Sequence, residues 1–141
     1  LPDVDYSGSL KKGCRFAAEV LEAVVDNIGT ERMTIRLLSI IDHIGTTDSD
    51  PLSLTSHLLR LLNFIPLAYL YMTEPRFTKE GLREDLSQGN CMAAKMWNIM
   101  KNEYKGRLMR SGGYMRQTVM EVVSSCSVDM ISFDKLFISN I

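Results

Sequence analysis

The chain has 141 residues, of which 45% are hydrophobic and 23% charged, and its 16 basic and 17 acidic residues give a formal net charge of −1. This length and composition indicate one globular domain with a hydrophobic core and exclude a disordered chain. The near-zero charge excludes a protein that is basic over its whole surface, and no apolar run reaches the roughly 18 residues of a membrane span.

We interpret residues 1–141 as a single domain excised from a longer protein, because the chain begins at Leu1 with neither an initiator methionine nor a basic-then-apolar leader. Cys14, Cys91 and Cys126 are odd in number and widely spaced. Disulfide frameworks of secreted domains use even numbers of cysteines. The cysteines therefore predict free thiols in a reducing intracellular compartment, either the cytoplasm or the nucleus.

Helical periodicity dominates the first 45 residues. Residues 10–28 carry apolar side chains at spacings of three and four, with Ser7 or Ser9 as a cap and Gly29 at the end. Thr30 is placed to cap a second helix that Gly45 ends. The inner face of that helix would consist of Met33, Leu37, Ile40, Ile41 and Ile44.

The third segment, residues 57–72, is the most apolar part of the chain. Asp50-Pro51 is a helix start signal, because a side-chain acceptor precedes a proline at the first helical position. Apolar residues on nearly all sides predict a central helix. Pro66 should kink or split that helix, since proline removes a backbone donor and clashes with the preceding turn.

The last part of the chain also follows helical spacing. We predict a short charged helix over residues 78–86, a helix from Asn90 to the Gly112-Gly113 pair, another from Tyr114, and a final turn after Ser132. The fold predicted from the sequence is therefore all-α: a single compact domain of six or seven helices around a central apolar helix kinked or split near Pro66.

Residues suited to catalysis or to metal binding are sparse. His43 and His57 lie near no nucleophile turn, and pairing either with Cys91 is the weakest hypothesis for this chain. No histidine and cysteine ligands have zinc-site spacing. Gly112-Gly113 could present backbone N–H groups to an anion, but a turn between helices explains the pair better. The sequence predicts no enzyme, metal, cofactor or small-molecule substrate.

One segment stands out by its charge. The segment from Lys95 to Arg116 contains six basic residues and one acidic residue, Glu103. Its net charge is therefore +5, which leaves −6 for the rest of the chain. Trp97, Tyr104 and Tyr114 lie among these cations, and aromatic rings beside cations are typical of nucleic-acid binding. An ordinary solvated helix side, or contact with an acidic protein or membrane surface, are the alternatives. The candidate nucleic-acid or anion-binding residues are Lys95, Lys101, Lys105, Arg107, Arg110 and Arg116.

The second unusual feature is the number of methionines, nine in 141 residues. Met92, Met96 and Met100 recur at steps of four beside Trp97, which would suit a groove for a partner helix. Packing of the same residues in the core is the alternative that we favour.

Together these features predict a non-enzymatic α-helical protein-interaction domain, an adaptor or assembly module that binds a protein partner or itself through apolar helix faces. The alternative is a nucleic-acid-binding helical domain that uses the Lys95–Arg116 segment to bind RNA or DNA. A viral protein would combine both roles.

Overall fold

A computed structural model describes residues 8–38, 49–73, 92–125 and 128–133, together with Ile138. The helices and strands alternate along the chain after a first helix. They are α1 (Leu10–Ile28), β1 (Thr34–Leu37), α2 (Pro51–Leu62), β2 (Tyr69–Thr73), α3 (Met92–Glu103), β3 (Leu108–Ser111), α4 (Arg116–Ser124) and β4 (Met130–Ile131).

The four strands form one parallel sheet in the order β1-β2-β3-β4. Ile35, Leu70 and Leu108 stand side by side in its register. Parallel neighbours need long crossover connections, and here α2, α3 and α4 lie in those connections. Strands that are adjacent in sequence are also adjacent in the sheet, which is the order of a β/α barrel rather than of a doubly wound sheet with a reversal.

The parallel sheet shows that the prediction of an all-α domain is wrong. Within the described residues, four parallel strands that alternate with helices replace the predicted bundle of six or seven helices. A parallel strand needs partners from distant parts of the chain. Helical spacing over a few apolar residues carries no information about such partners.

One face of the sheet packs against the helices. Leu70 and Met72 of β2 and Leu108 of β3 are buried there in a single core cluster. The helices contribute to the same cluster with Leu59, Leu62, Met96, Trp97 and Met100. The other face, which includes Arg36 and Tyr71, is only partly buried by the described residues.

The helix ends follow the signals in the sequence. The Ser9 side chain accepts a hydrogen bond from the Lys12 N–H (3.2 Å) at the start of α1, and the helix ends at Gly29, whose φ is +83°. Asp50 accepts from the Ser53 N–H (3.2 Å) before Pro51 opens α2. The predictions of both helix starts and of the glycine end are therefore confirmed.

The predicted second helix is not formed where the structure describes the chain. Residues Thr30–Arg32 make a single 3₁₀ turn, and Thr34–Leu37 then form β1. The rest of that predicted helix, residues 39–45, lies outside the described residues. Thr34 and Ile35 are β-branched and favour a strand once β2 is available to pair with them.

The predicted central helix is divided as expected, but its second half is a strand. Helix α2 ends at Leu62, the chain turns through Pro66, and Tyr69–Thr73 form β2. Similarly, the helix expected to reach Gly112 ends at Glu103, and Leu108–Ser111 form β3. The predicted helix over residues 78–86 lies outside the described residues, as does most of the predicted final turn.

Candidate functional site

The carboxyl ends of the parallel strands meet at one edge of the sheet. Ligands of β/α folds bind at this edge, because the loops that follow the strands and the amino termini of the following helices converge there. In this chain the edge carries two polar features. One is a row of side chains on the sheet face turned away from the helices, and the other is a pair of glycines after β3.

The row consists of Arg36 in β1, Thr73 in β2 and Ser111 in β3, and we call it the Arg36 row. The Arg36 Nε donates to Thr73 Oγ1 at 2.8 Å, and the Ser111 hydroxyl donates to the same oxygen at 3.3 Å. The Arg36 guanidinium carbon also lies 5.1 Å from the centre of the Tyr71 ring. These contacts fix the orientation of an exposed guanidinium that has four further N–H donors.

The second feature is the glycine turn, Gly112–Gly113, directly after β3. The two residues have φ values of +130° and +70°, which side-chain-bearing residues rarely adopt. Helix α4 begins three residues later, and the Thr118 hydroxyl accepts a hydrogen bond from the Met115 N–H (3.0 Å). A glycine turn before a helix amino terminus allows the backbone to approach an anion closely, and the helix dipole favours negative charge there.

The shifted titrating groups belong to helix packing and helix capping rather than to this edge. Burial raises the pKa of the Cys14 thiol and of the Tyr104 phenol. Hydrogen bonds from Ser53 lower the pKa of Asp50 at the start of α2. The chemistry of the site therefore rests on fixed donors and positive charge.

The Arg36 row and the glycine turn are the donor set that an anionic, planar ligand requires. A guanidinium binds phosphate, carboxylate or ring carbonyl groups through its planar fork, and glycine backbone N–H groups bind phosphate oxygens. The residues present therefore suit a ligand that has both a planar polar ring system and a phosphate. Within the described residues, no group of three or more His, Cys, Asp or Glu side chains could hold a metal ion.

A parallel sheet whose strands follow one another in sequence order is part of a β/α barrel, the class of fold in which ligands bind at the carboxyl edge. Residues 3–141 match the family model described as NADH:flavin oxidoreductase / NADH oxidase, and the chain belongs to this family. Its sheet corresponds to part of the old yellow enzyme-like TIM-barrel fold.

Two rice proteins (Oryza sativa subsp. japonica) illustrate the sequence similarity. The chain is 39% identical over 142 residues to 12-oxophytodienoate reductase 7, and the alignment covers 96% of this chain and 36% of that protein. It is 38% identical over 136 residues to putative 12-oxophytodienoate reductase 3, covering 96% of this chain and 34% of that protein. The chain thus spans about a third of the length of these relatives.

Solved structures show the same correspondence. Morphinone reductase superposes with a TM-score of 0.81 at 28% identity, over 99% of this chain and 35% of that one. The old yellow enzyme homologue from Zymomonas mobilis gives 0.82 at 25% identity, over 98% of this chain and 37% of that one.

Family membership corrects four predictions. The chain belongs to a family of oxidoreductases. The predictions of a non-enzymatic adaptor, of a nucleic-acid-binding domain and of a protein that is not an enzyme are therefore all wrong. The prediction that no small-molecule substrate is implied is also wrong, because the relatives are reductases of small molecules.

None of the helices in the described part of the chain has the length and apolar character that a membrane span requires.

The six basic residues selected from the sequence do not share one helix face. The expected single helix is interrupted after Glu103, so Lys95 and Lys101 lie on α3 while Arg110 lies in β3. Arg116 opens α4. Lys105 and Arg107 precede β3 and line a cavity of about 490 Å³ at the amino end of the sheet.

The candidate partner groove lies largely inside the core. Met96 and Met100 are each 1% exposed and Trp97 is 8% exposed, so of the four residues Met92 alone is exposed. Met96, Trp97 and Met100 belong to the core cluster, which agrees with the core-packing alternative given above. Of the catalytic candidates, His43 and Cys91 lie outside the described residues, and His57 lies on α2 with a buried Nε2 that has no hydrogen-bond partner among the described residues.

The sequence does not single out Arg36, Thr73 or Ser111, because helical spacing predicts helices over Arg36 and Ser111 and a turn directly after the apolar segment at Thr73. The glycine pair is singled out, but as a turn between two helices. The signal that could identify the site is the order of elements around the glycine pair, which becomes visible once residues 108–111 are interpreted as a strand. A strand, a glycine pair and then a helix form the β/α unit in which such a turn binds anions.

Proposed function

We propose that this chain supplies part of the flavin site of an NADH-dependent oxidoreductase. The observation that supports the proposal is the position of the Arg36 row and the glycine turn at one edge of a parallel sheet, in a chain of a flavin oxidoreductase family. Arg36 would hold polar or anionic groups of the flavin nucleotide, and the glycine turn would hold its phosphate.

A flavin held there would supply two-electron redox chemistry, namely hydride transfer between NADH and an oxidised substrate. The residues of this chain bind and orient. Thr73 and Tyr71 hold the Arg36 guanidinium in place, so its positive charge is already oriented before a ligand arrives. Such preorganisation lowers the cost of binding and of stabilising negative charge.

We propose a small organic oxo compound as the substrate class of the whole protein. The proposal is supported by the rice relatives, which are described as 12-oxophytodienoate reductases and align over 96% of this chain. Because the chain spans about a third of these relatives, substrate choice also depends on residues outside the aligned region.

The experiment is an equilibrium titration of the 141-residue chain with FMN and with riboflavin, which lacks the phosphate. We expect FMN to bind more tightly than riboflavin. Arg36→Leu should weaken FMN binding by about tenfold or more, since a charge-assisted hydrogen bond to a ligand contributes about 1.5–3 kcal/mol.

The matched control is Arg32→Leu. Arg32 lies in the turn before β1 and pairs only loosely with Glu31 (3.7 Å), so its loss should leave FMN binding unchanged. Absence of FMN binding by the wild-type chain, or equal effects of the two substitutions, would contradict the proposal.

A further inference from the structure

Arg110 occupies an unusual position for a charged residue of a strand. It lies in β3 beside Met72 of β2, two residues after the buried Leu108. Its side chain therefore turns toward the helices, whereas Arg36 lies on the opposite face of the sheet. The glycine turn begins two residues after Arg110 in the sequence.

The Arg110 guanidinium lies close to two aromatic rings. Its carbon is 3.9 Å from the ring centre of Trp97 in α3 and 5.9 Å from that of Tyr114. Both rings are buried, with 8% of Trp97 and 2% of Tyr114 exposed. Tyr114 is the first residue after the glycine turn, so this stack connects α3 to the far end of the turn.

We propose that Arg110 is a positioning residue that ties Tyr114 to Trp97 and thereby fixes the glycine turn in the conformation that binds an anionic ligand. The inference rests on the proposed function only for the identity of that ligand, the phosphate of a flavin nucleotide. The positioning of the turn itself is independent of it.

The physical reason is the freedom of two consecutive glycines. A pair of glycines has more accessible backbone conformations than a pair of any other amino acids. Ordering Gly112 and Gly113 for a ligand therefore costs conformational entropy. The backbone on one side is already held, because the Ser132 N–H donates to the Arg110 carbonyl at 2.8 Å. The stack holds Tyr114 on the other side, so the cost of ordering is met before binding.

Arginine suits this position better than lysine does. The guanidinium is planar and stacks on aromatic faces, whereas the lysine ammonium is a compact, strongly hydrated charge. Arg110→Lys keeps the charge and removes most of the stacking. It therefore separates positioning by the stack from a simple electrostatic effect of a cation near the turn.

The first test measures hydrogen exchange of the amides of residues 111–115 in the full chain without ligand. We expect Arg110→Lys and Arg110→Leu to speed exchange there about tenfold. The matched control, Arg107→Leu, removes an exposed arginine just before the amino end of the same strand and should leave exchange unchanged. Trp97 is the single tryptophan, so its emission reports loss of the stack, and circular dichroism confirms that each variant is folded.

If Arg110→Leu does not fold, Arg110→Lys carries the test, because it keeps length and charge. If the amides of residues 111–115 exchange in Arg110→Lys at the wild-type rate, the inference is overturned. It is also overturned if Arg107→Leu speeds their exchange as much as the Arg110 variants do.

The second test measures the affinities of FMN and riboflavin. Arg110→Lys should weaken FMN binding about tenfold and leave riboflavin binding unchanged, whereas a general loss of structure would weaken both. If the wild-type chain binds no FMN while the exchange difference persists, the proposed function fails and the positioning role stands. If FMN binds wild type and Arg110→Lys equally, the inference fails and the proposed function stands.

Discussion

Thr73 is the residue on which the Arg36 row depends. Its hydroxyl oxygen accepts hydrogen bonds from Arg36 of one neighbouring strand and Ser111 of the other. A hydroxyl has two acceptor lone pairs, so one threonine in the middle strand can join three strands at their carboxyl ends. The row is thus a property of the sheet register, which aligns Thr73 with Ser111.

The glycine turn gives a prediction about stability. Gly112→Ala should lower the free energy of unfolding by about 1–3 kcal/mol, because a φ of +130° is strained for any residue with a Cβ. Urea denaturation measures the change. Gly13→Ala is the control, since a Cβ there would meet Leu54 Cδ1 at an ordinary 3.6 Å within a helix, and we expect a gain of about 0.5–1 kcal/mol. Equal effects would show that the turn is not constrained.

Cys14 gives a prediction about pH. Desolvation disfavours the thiolate and raises the pKa of this buried thiol above its ordinary value. Because the thiolate is the reactive form, alkylation of Cys14 by iodoacetamide should begin at higher pH than alkylation of free cysteine. Peptide mass spectrometry across pH 7–10 measures this profile. A Cys14 rate matching that of free cysteine at pH 7 in the folded chain would contradict the prediction, and urea should abolish the difference.

At the scale of helices and strands, polar contacts at Glu103 join α2 to α3. The Ser56 hydroxyl donates to the Glu103 carboxylate, whose two oxygens lie 2.9 and 2.7 Å from Ser56 Oγ. Asn63 Nδ2 donates to the Glu103 carbonyl (2.7 Å), and Asn63 Oδ1 accepts from the Lys105 N–H (2.9 Å). These bonds set the position at which α3 ends and the chain turns toward β3.

We predict that Asn63→Ala lowers the free energy of unfolding by about 1–3 kcal/mol, because it leaves two backbone groups without their partner. Arg60→Ala is the comparison. Arg60 also contacts Glu103 (3.3 Å), but its side chain is 70% exposed, so its loss should cost under about 0.5 kcal/mol. Thermal or urea denaturation distinguishes the two, and the prediction fails if Arg60→Ala costs as much as Asn63→Ala.

Helix ends were predictable from the sequence, whereas strands were not. Ser9, Gly29 and Asp50-Pro51 act through neighbours within four residues, so local patterns identify them. Residues Tyr69–Thr73 become a strand only by pairing with β1 and β3, some 35 to 38 residues away. Pro66 predicts a break after α2, but residues 69–72 are as apolar as α2, so local spacing does not distinguish a second helix from a strand there. The Arg36 row was missed because it is assembled by the same pairings.

At the scale of the whole chain, the basic residues that are close together in the sequence lie on several different helices, strands and loops. The basic residues between Lys95 and Arg116 belong to two helices, a strand and the loops between them, so they do not share one helix face. Arg110 stacks on Trp97 in the interior, while Lys105 and Arg107 lie at the amino end of the sheet. A cluster in sequence is spread over space when the chain alternates between helix and strand.

The most direct test of the account replaces the aligned third of rice 12-oxophytodienoate reductase 7 with this chain and measures flavin bound per purified protein. We expect close to one flavin per chimera, a large loss with Arg36→Leu and no loss with Arg32→Leu. A folded chimera without flavin, or one whose flavin content is indifferent to Arg36, would contradict the claim that this chain supplies part of the flavin site.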